Sequence, residues 1–323
     1  MTITTDKFDK FKRAIDASNS IAIFCHMNPD GDTLGTGLAM FFALKKANKA
    51  VRIFCEDVVP KRLQSLSGAE HIEKYSAGLK DFDLGIAIDC SDIARIGSGA
   101  KYFLKISSTI VIDHHKTHEN FAKLTIIDSG ASATAEIVFH IFEYCGYLDE
   151  NIAQLLFSAL VSDNGCFSYS STTAYSHEIA LKLYSYKFDQ SNAIYNIWKK
   201  KSLEVFNLSS RVLSKCRFFY DNKVAILTFN KEDFATTGTT QSDTEGIISN
   251  VIDIDTVEVA FAISEVGEFY YKVSIRTKNL VDASDCASVF GGGGHLHAAG
   301  CRVNGRYEDI IERLVKVATD RLN

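Results

Sequence analysis

The stretch TIVIDHHKTH (109–118) sets an apolar, β-branched run directly against an aspartate and two adjacent histidines. TIVI (109–112) has the length and composition of a buried strand. Successive strand residues point to opposite faces, so Asp113, His114 and His115 cannot share one structural role. Working outward, three more runs of the same kind precede it: IAIF (21–24), VRIF (51–54) and LGIAI (84–88). Between and after them lie TLGTGLAMFFALKKAN (33–48), ATAEIVFHIFEYCG (133–146) and NIAQLLFSALVSD (151–163), each with the spacing of a helix. Short apolar strands alternating with helices predict an α/β domain: a mostly parallel sheet flanked by helices.

The pattern changes near residue 190. SNAIYNIWKKKSLEVFNLSSRVLSK (191–215) reads as one long polar-faced helix, a connector over 191–214. Strands follow in KCRFFYDNKVAILTF (215–229), VEVAFAIS (257–264) and FYYKVSIRTK (269–278), and an amphipathic helix closes the chain at 307–322. The expected organisation is a catalytic domain at 1–190 and a smaller C-terminal α/β domain at 215–323, with the active site in the cleft between them.

Composition limits the classes of function. The chain has 323 residues, 46% hydrophobic and 23% charged, with a formal net charge of −5. That balance suits a globular protein with large cores. It argues against gripping long duplex nucleic acid, which needs a broad basic surface. Eight cysteines with no CxxC pair, a charged N-terminus and no apolar run of membrane-spanning length predict a cytoplasmic protein with reduced thiols and no membrane partner. Cys25, Cys90 and Cys166 fall within three residues of the motifs below and read as packing residues.

Chemistry-bearing residues follow the strands. CHMNPDGD after the first run supplies His26, Asp30 and Asp32; DCSD after LGIAI supplies Asp89; the helix ending LVSD supplies Asp163. Loops beyond the carboxyl ends of strands in an open α/β sheet converge on one crevice. So many carboxylates cannot all stay ionised together without cations. Oxygen-rich ligands with imidazoles and no thiolate favour Mn²⁺, with Mg²⁺, Co²⁺ or Fe²⁺ as alternatives, and the number of ligands suits two ions. Near the other end, FGGGGHLHAAG (290–300) places four glycines before a histidine, a loop whose N–H groups could approach an anion.

In this order the motifs resemble those of the DHH phosphoesterase superfamily, with the DHH-associated C-terminal domain marked by FGGGGHLHAAG. The two-domain size is similar to the branch of bifunctional oligoribonucleases and 3′-phosphoadenosine-5′-phosphate (pAp) phosphatases. The resemblance implies a role for each matching residue. His26 and Asp30 would bind one ion, and Asp32, His114 and Asp163 the second. Asp89 would bridge them, and Asp113 would orient a ligand histidine. His115 would face the substrate. Arg276, Gly292, Gly293, Gly294 and His295 would hold a substrate phosphate. Implied substrates are short oligoribonucleotides and pAp. Alternatives are the linear dinucleotide pApA, pyrophosphate, or a nucleotide bound without turnover. The oligomeric state is left open, a homodimer included.

Overall fold

The computed structural model describes residues 3–76, 81–244 and 246–322, with the His295 side chain also outside the description. The chain forms two compact units, Met1–Lys200 and Lys201–Asn323.

In the first unit, six strands form one wholly parallel sheet in the order β3-β2-β1-β4-β5-β6. They are β1 (Ser20–Cys25), β2 (Ala50–Phe54), β3 (Ile72–Glu73), β4 (Leu84–Ile88), β5 (Ser108–Asp113) and β6 (Leu124–Ile127). The helices are α1 (Thr5–Asp16), α2 (Gly31–Lys46), α3 (Ala100–Phe103), α4 (Thr134–Cys145), α5 (Glu150–Asp163), α6 (Ala174–Tyr184) and α7 (Gln190–Ile194). Parallel strands are apolar on both faces because crossover helices cover both. In β1, Ile21, Ile23 and Cys25 join the core under α2, α4 and α5. Ala22 and Phe24 point the other way, into a cluster with Phe54, Phe103 and Val111. Each such fully buried Ile or Phe stabilises the fold by about 1.5–3 kcal/mol. The order reverses direction between β1 and β4, which is where a doubly wound sheet opens its crevice.

The segment expected as a single connector is divided between the units. After α7 comes one π turn, Tyr195–Lys199, and Lys200 is extended. Ala193 and Ile197 are buried in the first unit's core. Ser202 then caps α8 (Leu203–Leu213), whose Leu208 and Val212 are buried in the second unit. An apolar stripe on each half, facing different cores, outweighs the continuous helical spacing of the sequence.

The second unit is a mixed sheet ordered β11-β12-β10-β9-β8-β7. Its strands are β7 (Arg217–Phe219), β8 (Val224–Phe229), β9 (Val259–Gly267), β10 (Tyr270–Thr277), β11 (Gly293–His295) and β12 (Ala298–Asn304). The remaining helices are α9 (Lys231–Thr237), α10 (Ser249–Ile252), α11 (Ala283–Ser288) and α12 (Tyr307–Leu322). Val224, Phe261 and Ile275 pack on one face with α11 and α12. Ala225, Leu227 and Ala260 pack on the other with α8 and α10. Among the described residues no helix is long and apolar enough to cross a membrane.

Candidate metal centre

Each group of the site stands at the end of an element already explained by packing. Beyond β1, the buried His26 donates from Nδ1 to the Met27 carbonyl (2.8 Å). The Arg95 guanidinium lies 3.1 Å from the same Nδ1, so the far side of the ring, Nε2, is the one turned to the carboxylates. Nε2 lies 3.6 Å from Asp30 Oδ2 and 3.3 Å from Asp89 Oδ2. Asp30 is also the cap of α2, its Oδ1 accepting from the N–H groups of Asp32 (3.0 Å) and Thr33 (3.1 Å). One oxygen starts the helix and the other faces His26.

Asp89 follows β4 with φ 60°, a left-handed conformation that costs energy in any residue other than glycine. Its amide donates to the Ile112 carbonyl (2.9 Å), tying the strained turn to β5. Its Oδ1 accepts from the Thr134 hydroxyl (2.8 Å) and lies 3.6 Å from both His114 Nε2 and His115 Nδ1. His114 Nε2 also lies 3.2 Å from Asp163 Oδ2 at the end of α5, while Nδ1 donates to the Ala131 carbonyl (3.2 Å). Asp32, in the first turn of α2, is fully buried against the start of α4, accepting from the N–H groups of Thr134 (2.6 Å) and Ala135 (3.1 Å) and from the Thr36 hydroxyl (2.9 Å).

Ligand atoms within 4.8 Å of one another therefore fall into the groups His26–Asp30–Asp89 and Asp32–His114–Asp163, and Asp89 also groups with His114 and His115. The structure brings together all six residues that the resemblance implied as ligands. The electrostatics fit cations. Burial pushes the Asp32 carboxyl well up, and Asp89 and Asp163 push it further. Burial likewise raises Asp163 despite His114. Burial alone would lower His26, but Asp30 and Asp89 hold it up to about 10. His114 is raised in the same way, against burial, by Asp163 and Asp89. Protons here stand where a divalent ion would; when an ion displaces the proton from His114, the Nδ1 bond to Ala131 leaves Nε2 to bind it.

Asp113 differs from expectation. It orients neither ligand histidine: its Oδ1 accepts from His115 Nδ1 (2.7 Å) and its Oδ2 from His118 Nδ1 (2.9 Å). Residues two apart share a strand face, so Asp113 reaches His115 while His114 turns to Ala131. His118, stacked on Phe121, is a second partner of Asp113 that the motifs did not single out. The N-terminus of α4, with three hydrogen bonds into the acidic pool, was missed as well; SATAE offered only a weak helix-start signal there.

In the second unit, Arg276 is on β10 opposite Ala298, with Nη1 donating to the Ile275 carbonyl (3.0 Å). The glycine run is a loop only in its first half: Gly291 turns at φ 70°, and Gly293 and Gly294 belong to the hairpin strand β11 against β12. A Cβ at Gly292 would meet the Gly300 carbonyl at 2.3 Å, and one at Gly294 the Ala298 carbonyl at 2.5 Å. At Gly293 nothing lies within 4 Å. Two of the three glycines implied as substrate contacts are thus required by strand packing, and only Gly293 has open space above it. The His295 side chain lies outside the description.

A parallel sheet ending in an acid and imidazole pool has the donor set of a divalent-metal site. The chain matches the DHH family, N-terminal domain, over residues 20–160 and the DHHA1 domain over residues 221–323. It belongs to the DHH family, whose phosphoesterases are metal-dependent hydrolases. A relative from Streptococcus mutans, named "Probable bifunctional oligoribonuclease and PAP phosphatase NrnA", is 29% identical over 93% of this chain and 95% of its own. The Thermus thermophilus "Bifunctional oligoribonuclease and PAP phosphatase NrnA" is 28% identical over 90% of this chain and 88% of its own. The crystal structure of an exopolyphosphatase-related protein from Bacteroides fragilis shares the fold with a TM-score of 0.92, at 24% identity over 99% of this chain and 97% of that one.

Proposed function

We propose that this enzyme uses two divalent ions, Mn²⁺ by the chemistry of its ligands, to hydrolyse short oligoribonucleotides to mononucleotides and pAp to AMP. The observation that carries the proposal is Asp89. Its Oδ2 faces His26 and its Oδ1 faces His114, so one carboxylate offers an oxygen to each donor group, as a bridging ligand must. Two ions held by His26, Asp30, Asp32, Asp89, His114 and Asp163 supply Lewis acidity at the phosphoryl oxygens and an acidified water.

The chain's own groups do the rest. The hydrogen bond to Asp113 raises the pKa of the His115 imidazole against burial, which favours its holding a proton for the leaving oxygen. His118 takes the second oxygen of Asp113 and fixes the carboxylate's plane. Arg276, the backbone at Gly293 and His295 are proposed to hold a further phosphate of the substrate. Both relatives' names support this substrate pair.

The test is to incubate the pure protein and Mn²⁺ with pAp, with pApA and with a 5′-labelled RNA ladder from dinucleotides upward. Release of phosphate from pAp, and mononucleotide release fastest from the shortest RNAs, is the expected result. Turnover of pApA alone would narrow the activity to linear dinucleotides. Activity on none of these, with metals bound, would defeat the proposal.

A further inference from the structure

We propose that Tyr169 and Trp198 form the platform on which the nucleobase of the bound nucleotide stacks. The inference rests on the nucleotide substrates proposed above. The last turn of α5 delivers Asp163 to the metal centre, and the same turn anchors both rings. The Trp198 indole N–H donates to the Val161 carbonyl (2.6 Å), two residues before Asp163. Beyond Asp163 the chain makes a run of left-handed residues, Gly165 (φ 65°), Cys166 (φ 52°) and Phe167 (φ 66°). Left-handed backbone at two successive non-glycine residues is strained, and such strain persists where its surroundings fix it.

Here it is fixed on both sides. Asn164 is fully buried, its Oδ1 accepting from the Phe167 amide (2.9 Å), and Phe167 stacks on His177. The run reverses the chain so that the Tyr169 amide donates back to the Asn164 carbonyl (3.1 Å). The Tyr169 ring then lies directly over Gly165, where a Cβ would meet it at 2.6 Å.

Nothing in the packing of the first unit requires these rings to face solvent, yet Tyr169 is 50% and Trp198 38% exposed. Their centroids are 6.1 Å apart and their planes 80° apart, so they form the two walls of a corner. A flat base can stack on one wall and pack its edge on the other. Trp198 is delivered by the π turn at 195–199, a rare device that is frequent at functional sites. Lys199 and Lys200, which follow Trp198, are both exposed, which suits a ligand carrying phosphate. One ring is tied to Val161 and the other to Asn164, on either side of Asp163, which fits a base whose phosphate lies at the metal centre. Backbone strain and exposed aromatics thus have one explanation.

Trp198 is the only tryptophan, so its fluorescence reports on the corner. In the full-length protein, AMP should quench that emission and ribose 5-phosphate should not. Replacing Tyr169 by Leu should raise KM for pAp and dinucleotides about tenfold or more. It should leave KM for a base-free ribose bisphosphate unmoved, and Tyr169→Phe should restore the wild-type value. Unchanged emission with AMP, or an equal rise in KM for the base-free ester, would overturn the platform. Hydrolysis of pAp with neither effect would sink the platform and leave the activity standing. Turnover of ribose bisphosphate but of no nucleotide would overturn both.

Discussion

The two regions expected to touch phosphate are built on opposite principles. In the first unit, packing brings strand ends together and leaves side chains in arrangements that packing alone does not favour: a buried Asp32 among carboxylates, and Asp89 in a left-handed turn. In the second unit, glycines that suggested an anion cradle are largely explained by the closeness of β12. A costly arrangement that hydrogen bonds repay only in part points to chemistry. A tight arrangement that seats a neighbouring strand points to folding first.

The comparison breaks most sharply at Asp89. Asp89→Ala should lower kcat roughly 10³-fold, because one carboxylate serves both donor groups. Melting temperature and bound metal, measured alongside, separate this from unfolding. Retained turnover would mean that the acidic pool is not the reaction centre. Next comes Asp113→Asn, which replaces an acceptor oxygen facing one imidazole by a donor. It should lower activity about 10- to 100-fold. His118→Ala should cost less, since Asp113 keeps its bond to His115. If the His118 variant matched the Asp113 variant, the two imidazoles would have to act as one unit.

The parallel sheet was legible because β1, β4 and β5 are apolar on both faces and β2 is apolar apart from Arg52, and their ends could be read within one residue. The two-residue β3 carries no periodicity to detect. The six expected ligands were legible because they follow those strands. Asp113's true partners were not, since a sequence gives alternation along a strand but not which way a loop histidine turns. The connector failed for a related reason: helical spacing continues through 191–215, while the switch from one core to another depends on Lys200 and the cap at Ser202. Strand β12 was hidden in AAGCRVN, whose small residues read as a continuation of the glycine loop.

Proton linkage gives the next effect. Burial alone would lower His26, but Asp30 and Asp89 hold it up to about 10, and His114 is raised as well. Metal must displace protons from imidazoles that are charged at neutral pH. Affinity should therefore rise with pH, by about tenfold per unit for each proton displaced. Calorimetry in buffers of differing ionisation enthalpy counts those protons directly. Affinity independent of pH between 6 and 8 would show that the ions do not bind at these imidazoles.

The smallest effects test the glycine hairpin. Gly292→Ala drives a Cβ to 2.3 Å from the Gly300 carbonyl and 2.5 Å from Cys301 Cβ, atoms of the neighbouring strand that cannot swing away. It should cost about 1–3 kcal/mol of stability in denaturant unfolding. Gly293→Ala, with nothing within 4 Å, should change stability by no more than about 0.5 kcal/mol. If Gly293 nevertheless raises KM for pAp when substituted, its open space is used by the substrate, and the hairpin serves chemistry at that one position. If Gly293→Ala leaves KM unchanged, the hairpin is a folding device throughout, and Arg276 must hold the phosphate without it.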